Sequence, residues 1–218
     1  MNKITLLLLS FVLTYSHSAF SASSGEVPSQ IRIFYGKGLV NSTVINDYLT
    51  TQNLDSIKDI NRIGVEVGLY TGNNKMFNFG LKYYAGQKTV DGAASGEHGT
   101  VTQGVWQFIG RATITRKDTH YVDFLLGAGG ASLAFLRETA TTRSMLERTN
   151  HTSRAFTTGF STGFGYKRLY FYLEAGYDWN YVGSMEQISG TLEPFDKIDM
   201  SGPYATIGIM IDGIPITP

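Results

Sequence analysis

Leu169-Tyr170-Phe171-Tyr172-Leu173-Glu174-Ala175-Gly176-Tyr177-Asp178-Trp179-Asn180-Tyr181-Val182 decides the fold. Its odd positions are all apolar or aromatic. Its even positions, up to Asn180, are tyrosines, carboxylates, a glycine and an amide. A period of two held over this length is a strand with two chemically different faces, and it exceeds the usual strand of about 5–6 residues. The same alternation recurs on both sides of it. In Ser153–Tyr166, Phe156, Thr158, Phe160, Thr162, Phe164 and Tyr166 oppose Thr157, Gly159, Ser161, Gly163 and Gly165. In Asn61–Thr71, Ile63, Val65, Val67 and Leu69 oppose Gly64, Glu66, Gly68 and Tyr70. In Lys75–Gln87, Phe77, Phe79, Leu81, Tyr83 and Ala85 oppose Asn78, Gly80, Lys82, Tyr84 and Gly86. Four less regular segments, around Ile31–Leu39, Trp106–Ile114, Val122–Gly129 and Tyr204–Ile211, bring the expectation to eight strands.

The connections alternate in length. Thr71–Lys75, Arg116–Thr119 and Lys167–Arg168 read as tight turns, whereas 41–60, 88–100, 138–152 and 184–201 read as long polar loops. Ser42 or Thr43 could cap a short helix in the first loop, with Val44, Ile45, Tyr48 and Leu49 on one face. Long loops on one side and short turns on the other is the asymmetry of a barrel that crosses a membrane.

Composition narrows the class. Lys+Arg and Asp+Glu are both 18, so a nucleic-acid binder with a basic excess is not expected. There is no Cys, which excludes disulfides, thiolate metal sites and a Cys nucleophile. With 25 Gly, 13 Tyr and 13 Phe, the chain has the small and bulky residues that a two-faced β wall requires. Residues 1–21 read as a secretory signal: Lys3, the apolar run Leu6–Leu13, then Ala19-Phe20-Ser21, with cleavage expected before Ala22. The apolar run is far shorter than the ~20 residues of a membrane helix. The remainder, 22–218, is expected to form one domain.

Alternation alone fits either a soluble lipocalin-like barrel, apolar inside, or a membrane barrel, apolar outside. The less apolar face carries glycines and hydroxyls rather than the many charges of a water-exposed wall. The apolar face is bulky and places Tyr35, Tyr83, Trp106, Tyr121, Tyr166, Trp179 and Tyr181 near strand ends, as interfacial girdles do. Closure into a barrel is also the one way in which strands enter lipid with every backbone group satisfied. The expected fold is an all-β, eight-stranded antiparallel up-and-down transmembrane β-barrel.

Signal, eight strands, short turns and long loops together resemble the small outer-membrane β-barrel proteins of Gram-negative bacteria, of the OmpA and OmpX type. The resemblance is architectural. The closing strand Thr206-Ile207-Gly208-Ile209-Met210-Ile211 departs from that group in lacking a final aromatic residue, since the chain runs on through Asp212 to Pro218. The resemblance implies a monomer in the bacterial outer membrane, with lipopolysaccharide and other outer-membrane lipid as its surroundings and a surface partner reached through the long loops.

The inward parity supplies Arg32, Lys82 and Arg111 against Glu66, Asp123, Glu174 and Asp178. By height on neighbouring strands, Glu66 is expected to meet Lys82, and Arg111 to meet Asp123. Such a set could form a charged constriction or an acid/base pair, but buried charges must be paired, and a salt-bridged plug is the reading preferred. His151-Thr152-Ser153 resembles the His-x-Ser pair of outer-membrane lipid A deacylases. Arg154 stands where that family carries Asn, and no acid follows on the same strand to orient the imidazole. No metal-type cluster or phosphate loop is present in the sequence, and no cofactor is expected. The expected function is therefore non-enzymatic: an envelope or surface-interaction barrel. A narrow porin-like channel is the alternative, and a lipid A-modifying hydrolase stands after it.

Overall fold

The structure, a computed structural model, describes residues 27–40, 42–71, 75–148, 153–194 and 197–216. In chain order the elements are β1 (Val27–Leu39), α1 (Thr43–Thr51), β2 (Asp59–Thr71), β3 (Phe77–Asp91), β4 (His98–Arg116), β5 (His120–Glu138), β6 (Arg143–Arg148), β7 (Arg154–Tyr166), β8 (Leu169–Val182), β9 (Glu186–Ser189), β10 (Ile198–Asp199) and β11 (Gly202–Ile216). Eight of the strands form a closed antiparallel ring. β1, β2, β3, β4 and β5 pair in sequence, β5 pairs β7, β7 pairs β8, β8 pairs β11, and β11 pairs β1. The closing seam runs from Gly38↔Tyr204 to Val27↔Ile216 with one bulge at Ser29/Gln30.

The period of two is realised as alternating burial along each strand, as in β2 and β7. The bulky parity points away from the barrel: Ile33, Phe79, Phe108, Phe160, Phe171, Leu173 and Ile207 are all exposed on the outer wall. The other parity is buried inside. Glycine is required there where a large side chain of the neighbouring strand lies across it, since Tyr121 is the cross-strand partner of Gly163 and Arg62 stands on β2 beside β1. A Cβ on Gly163 would lie 2.2 Å from the Tyr121 ring, and one on Gly38 would lie 1.8 Å from the Arg62 guanidinium.

The tight turns at 117–119 and 167–168 lie where expected; 72–74, and the signal segment 1–21, fall outside the described residues. The long loops are more structured than expected. The second contracts to 92–97, because β3 and β4 keep pairing through Lys88↔Val101, Thr89↔Thr100 and Asp91↔His98. β4 and β5 each reach 19 residues, well beyond the ~9–11 that a tilted crossing needs. Their upper ends stand in water, where polar outward residues are compatible with continued pairing. β6 folds back on the top of β5, from Glu138↔Arg143 to Leu133↔Arg148, and β9 adds to β6. β10 extends the β11 side of β8.

In the first loop Ser42 caps α1, accepting from the Ile45 N–H at 3.4 Å. Ile45 and Leu49 are fully buried, Tyr48 is half-buried and Val44 turns to solvent. The helix seats Ile45 and Leu49 over the barrel mouth. There they belong to one apolar cluster with Leu54, Ile57, Ile60, Val101, Phe135, Leu146, Val182, Met185, Leu192, Ile198 and Met200.

Candidate functional site

Beneath that apolar cap the lumen is filled by charge. Arg32, Glu66, Lys82, Arg111, Asp123, Glu174 and Asp178 all project inward and are buried, and Arg62 joins them. Four cations thus face four carboxylates. The Arg111 guanidinium donates through Nε and Nη2 to the two oxygens of Glu66, each at 2.6 Å, and through Nη2 to Glu174 at 2.6 Å. Lys82 Nζ donates to the other oxygen of Glu174 at 2.7 Å, and Tyr204 Oη donates to that same oxygen at 3.1 Å. Arg32 donates to Asp123 at 2.6 Å and to Ser161 at 3.0 Å, and its Nε lies 4.0 Å from Glu66. Higher up, Arg62 donates to Asp178 at 2.5 Å, and Tyr84 Oη donates to the same carboxylate at 3.0 Å. Aromatic rings sheathe the cations. Arg32 lies 5.2 Å from the rings of both Tyr121 and Tyr172, and Arg62 lies 4.7 Å from that of Tyr84.

The pairing differs from the one expected. Glu66 and Lys82 are backbone partners, but Lys82 reaches across the lumen to Glu174. Arg111 sits opposite Leu125; Thr113 is the residue opposite Asp123, and Asp123 takes Arg32. The cause is the narrowness of an eight-stranded interior: long side chains meet the far wall as readily as the adjacent strand. Arg62 was missed although it shares the parity of Gly64 and Glu66, which is the signal that would have found it.

Among the aromatics, Tyr35, Tyr83, Trp106, Tyr166, Trp179 and Tyr181 stand on the outer wall. Tyr121 does not. It is 0% exposed, inside the barrel, and packs edge-on against Tyr170 with ring centroids 5.6 Å apart. It shares the parity of the inward Asp123 and Leu125, so its place at the strand start does not make it a girdle residue. Ser153 is buried with no hydrogen-bond partner for its hydroxyl among the described residues, Arg154 is exposed, and His151 lies outside the described residues.

Two further layers bound the network. At the short-turn end, Asp212 is paired by Lys75 at 3.2 Å and by Arg116, with both cations over the Tyr70 ring. At the other end, a cavity of about 480 Å³ opens between α1, β6 and the last loop, lined by Tyr48, Gln52, Arg137, Ser144, Leu192 and Glu193. Tyr48 Oη donates to the Glu193 carbonyl at 3.2 Å, and burial pushes its pKa up to about 12. Arg137 is held by Gln52 at 2.8 Å and by Glu97 at 3.5 Å. Among the described residues no group of three His, Cys, Asp or Glu is arranged to hold a metal.

No protein-family model and no curated relative matches the chain. Solved structures do. Ail, the attachment invasion locus protein of Yersinia pestis, in complex with the heparin analogue sucrose octasulfate, aligns at TM-score 0.50 and 12% identity, covering 86% of this chain and 99% of that one. Neisserial surface protein A aligns at TM-score 0.46 and 11% identity over 87% and 99%. The N-terminal β-barrel domain of Pseudomonas aeruginosa OprF aligns at TM-score 0.42 and 12% identity over 87% and 99%. The chain thus has the fold of the small outer-membrane β-barrels.

Proposed function

We propose that the chain is a closed, non-enzymatic outer-membrane barrel whose loop end is an ordered platform for surface interaction. It would reach the membrane as a monomer after removal of 1–21. The observation that carries this reading is the apolar cap: α1 and the last loop bury Ile45, Leu49, Phe135 and Leu192 over the mouth. A channel would need that mouth open and wet. A contact surface is instead favoured by regular structure in the described parts of the loops, α1, β6 and β9, since less ordering entropy would be lost on binding.

Charge bears on the partner. The sequence stretches 37–59, 88–97, 137–154 and 186–199, which make up the loop end, hold eight Lys/Arg against eleven Asp/Glu. An acidic end of this kind disfavours a sulfated polyanion such as the ligand of the Ail complex, and favours a neutral or cationic partner. The porin-like alternative draws support from one feature, the buried amides of Asn78 and Gln107 in the lumen, which have no protein partner among the described residues and mark room for water below the cap. Single-channel recording in planar bilayers tests the reading. No steady conductance is expected, and an ion-conducting open state would overturn it in favour of the pore.

A further inference from the structure

The short-turn end of the barrel has the opposite charge character. Two of its turns are bound together: the Gly165 N–H donates to the Thr119 carbonyl at 2.9 Å, and Tyr170 Oη donates to the Asp118 carbonyl at 3.1 Å. This rigid pair presents three exposed cations, Lys117, Lys167 and Arg168, against the single exposed carboxylate of Asp118. None of the three cations has an ion-pair partner among the described residues. They lie directly below the lipid-facing wall of Phe164, Tyr166, Leu169 and Phe171, where Tyr166, at 71%, is the most exposed of the large apolar side chains described. The Lys167 ammonium stands 5.3 Å from the centre of the Tyr166 ring.

The backbone at this point is strained. Lys167 has φ +58° in a two-residue hairpin turn, a position that Asn or Gly fills without penalty and that disfavours a side chain such as Lys. Lys167 shares this left-handed backbone with Lys75 and Lys197 among the described residues, and of the turn cations it is the one whose ammonium stands beside the Tyr166 ring. Strain retained at a defined position is grounds for a functional hypothesis.

We propose that Lys117, Lys167 and Arg168, with Tyr166 as the apolar floor, bind the headgroup phosphate of an anionic phospholipid in the leaflet on the short-turn side. The inference rests on the membrane placement given under the proposed function. Charge complementarity selects the occupant: a net cationic cluster at headgroup depth attracts an anionic lipid, and each basic residue near such a surface is worth about 1 kcal/mol, or about fivefold in affinity. The acyl chains would lie along Phe164 and Phe171, and the ring of Tyr166 would stand at the level of the glycerol.

The test uses the isotopically labelled full chain folded in dodecylphosphocholine micelles. It is titrated at fixed ionic strength with dihexanoyl phosphatidylglycerol, dihexanoyl phosphatidylcholine and inorganic phosphate. Saturable amide shifts at Lys117, Gly165, Tyr166, Lys167 and Arg168 are expected with phosphatidylglycerol alone. Lys167→Asn relieves the backbone strain, so it should fold at least as well while binding about fivefold more weakly, and Lys167→Asn with Arg168→Gln about 25-fold more weakly. Equal shifts with the zwitterionic lipid, the same shifts with inorganic phosphate, or undiminished binding in Lys167→Asn would each overturn the proposal. Failure of the barrel reading itself would look different: the amide spectrum would lack β-sheet dispersion before any lipid was added.

Discussion

Arg111→Ala is the sharpest perturbation available to the lumen. It removes both charge-assisted hydrogen bonds to Glu66 and the one to Glu174. The two carboxylates are not left equally exposed to the loss. Glu174 keeps Lys82 at 2.7 Å, whereas among the described residues Glu66 keeps only the distant Nε of Arg32 at 4.0 Å. Stranding a buried charge in this way costs about 3–5 kcal/mol, and most of that cost should be located at Glu66. Adding Glu66→Ala should therefore recover about 2–3 kcal/mol, the upper end of coupling between residues in direct contact. Asp123 is a control from the same layer: it is paired to Arg32 at 2.6 Å rather than to Arg111, so the coupling of Arg111→Ala with Asp123→Ala should be smaller than that with Glu66→Ala. Equilibrium urea unfolding in phosphatidylcholine vesicles supplies the free energies. Emission from Trp106 and Trp179 on the outer wall serves as the probe. A single-mutant cost below about 1 kcal/mol, or stronger coupling to Asp123 than to Glu66, would refute the assigned connectivity.

Two other outcomes follow from the layers around that network. Leu173→Arg places a charge on the lipid-facing wall, where Leu173 is 58% exposed, and should cost about 2–4 kcal/mol near the midplane, whereas Ser189→Arg in the exposed β9 should be neutral; equal folding yields of the two in vesicles would place that wall out of lipid. Leu49→Ala in α1 opens a void at a fully buried site and should cost the cap about 2–5 kcal/mol, making the first loop sensitive to protease while the barrel keeps its heat-modifiable gel mobility; a protease-resistant loop in that variant would mean that the helix is not seated by its apolar face.

Strand existence and facing were legible because parity is a local property. The side on which Glu66, Glu174 or Lys82 emerges follows from counting by two along one segment. Which carboxylate a cation meets was not legible, because it depends on strand tilt and stagger around a closed ring. Lys82 and Glu174 lie on β3 and β8, which are not neighbours in that ring. Tyr121 reads as a girdle residue from its place near a strand end alone. Its parity with Asp123 placed it inside, and parity decided. The stretches 41–60, 88–100, 138–152 and 184–201 read as long loops because they are polar. A strand that has left the lipid keeps its ladder bonds with either kind of side chain outside, so 88–91 and 98–100 remained paired.

The three layers stacked along the axis support the proposed non-conducting reading together. The middle layer is electrically neutral and internally bonded, so a permeating ion would have to displace partners at 2.5–2.7 Å rather than enter an unoccupied field. The base is closed by Asp212 between Arg116 and Lys75 over Tyr70. The top is apolar, and that layer is the informative one. The loops of a pore have no need of a buried Ile45, Leu54, Ile57, Leu192 or Met200, which would only obstruct the mouth. Apolar residues placed in loops that already stand in water have one physical use, which is to hold those loops to each other. β6 and β9 then extend the β5 side of the wall, and α1 covers the centre. Under the proposed function, the outer end of this chain would be a small folded unit on a barrel that does not conduct, and its exposed face, rather than its axis, would be where a partner is met.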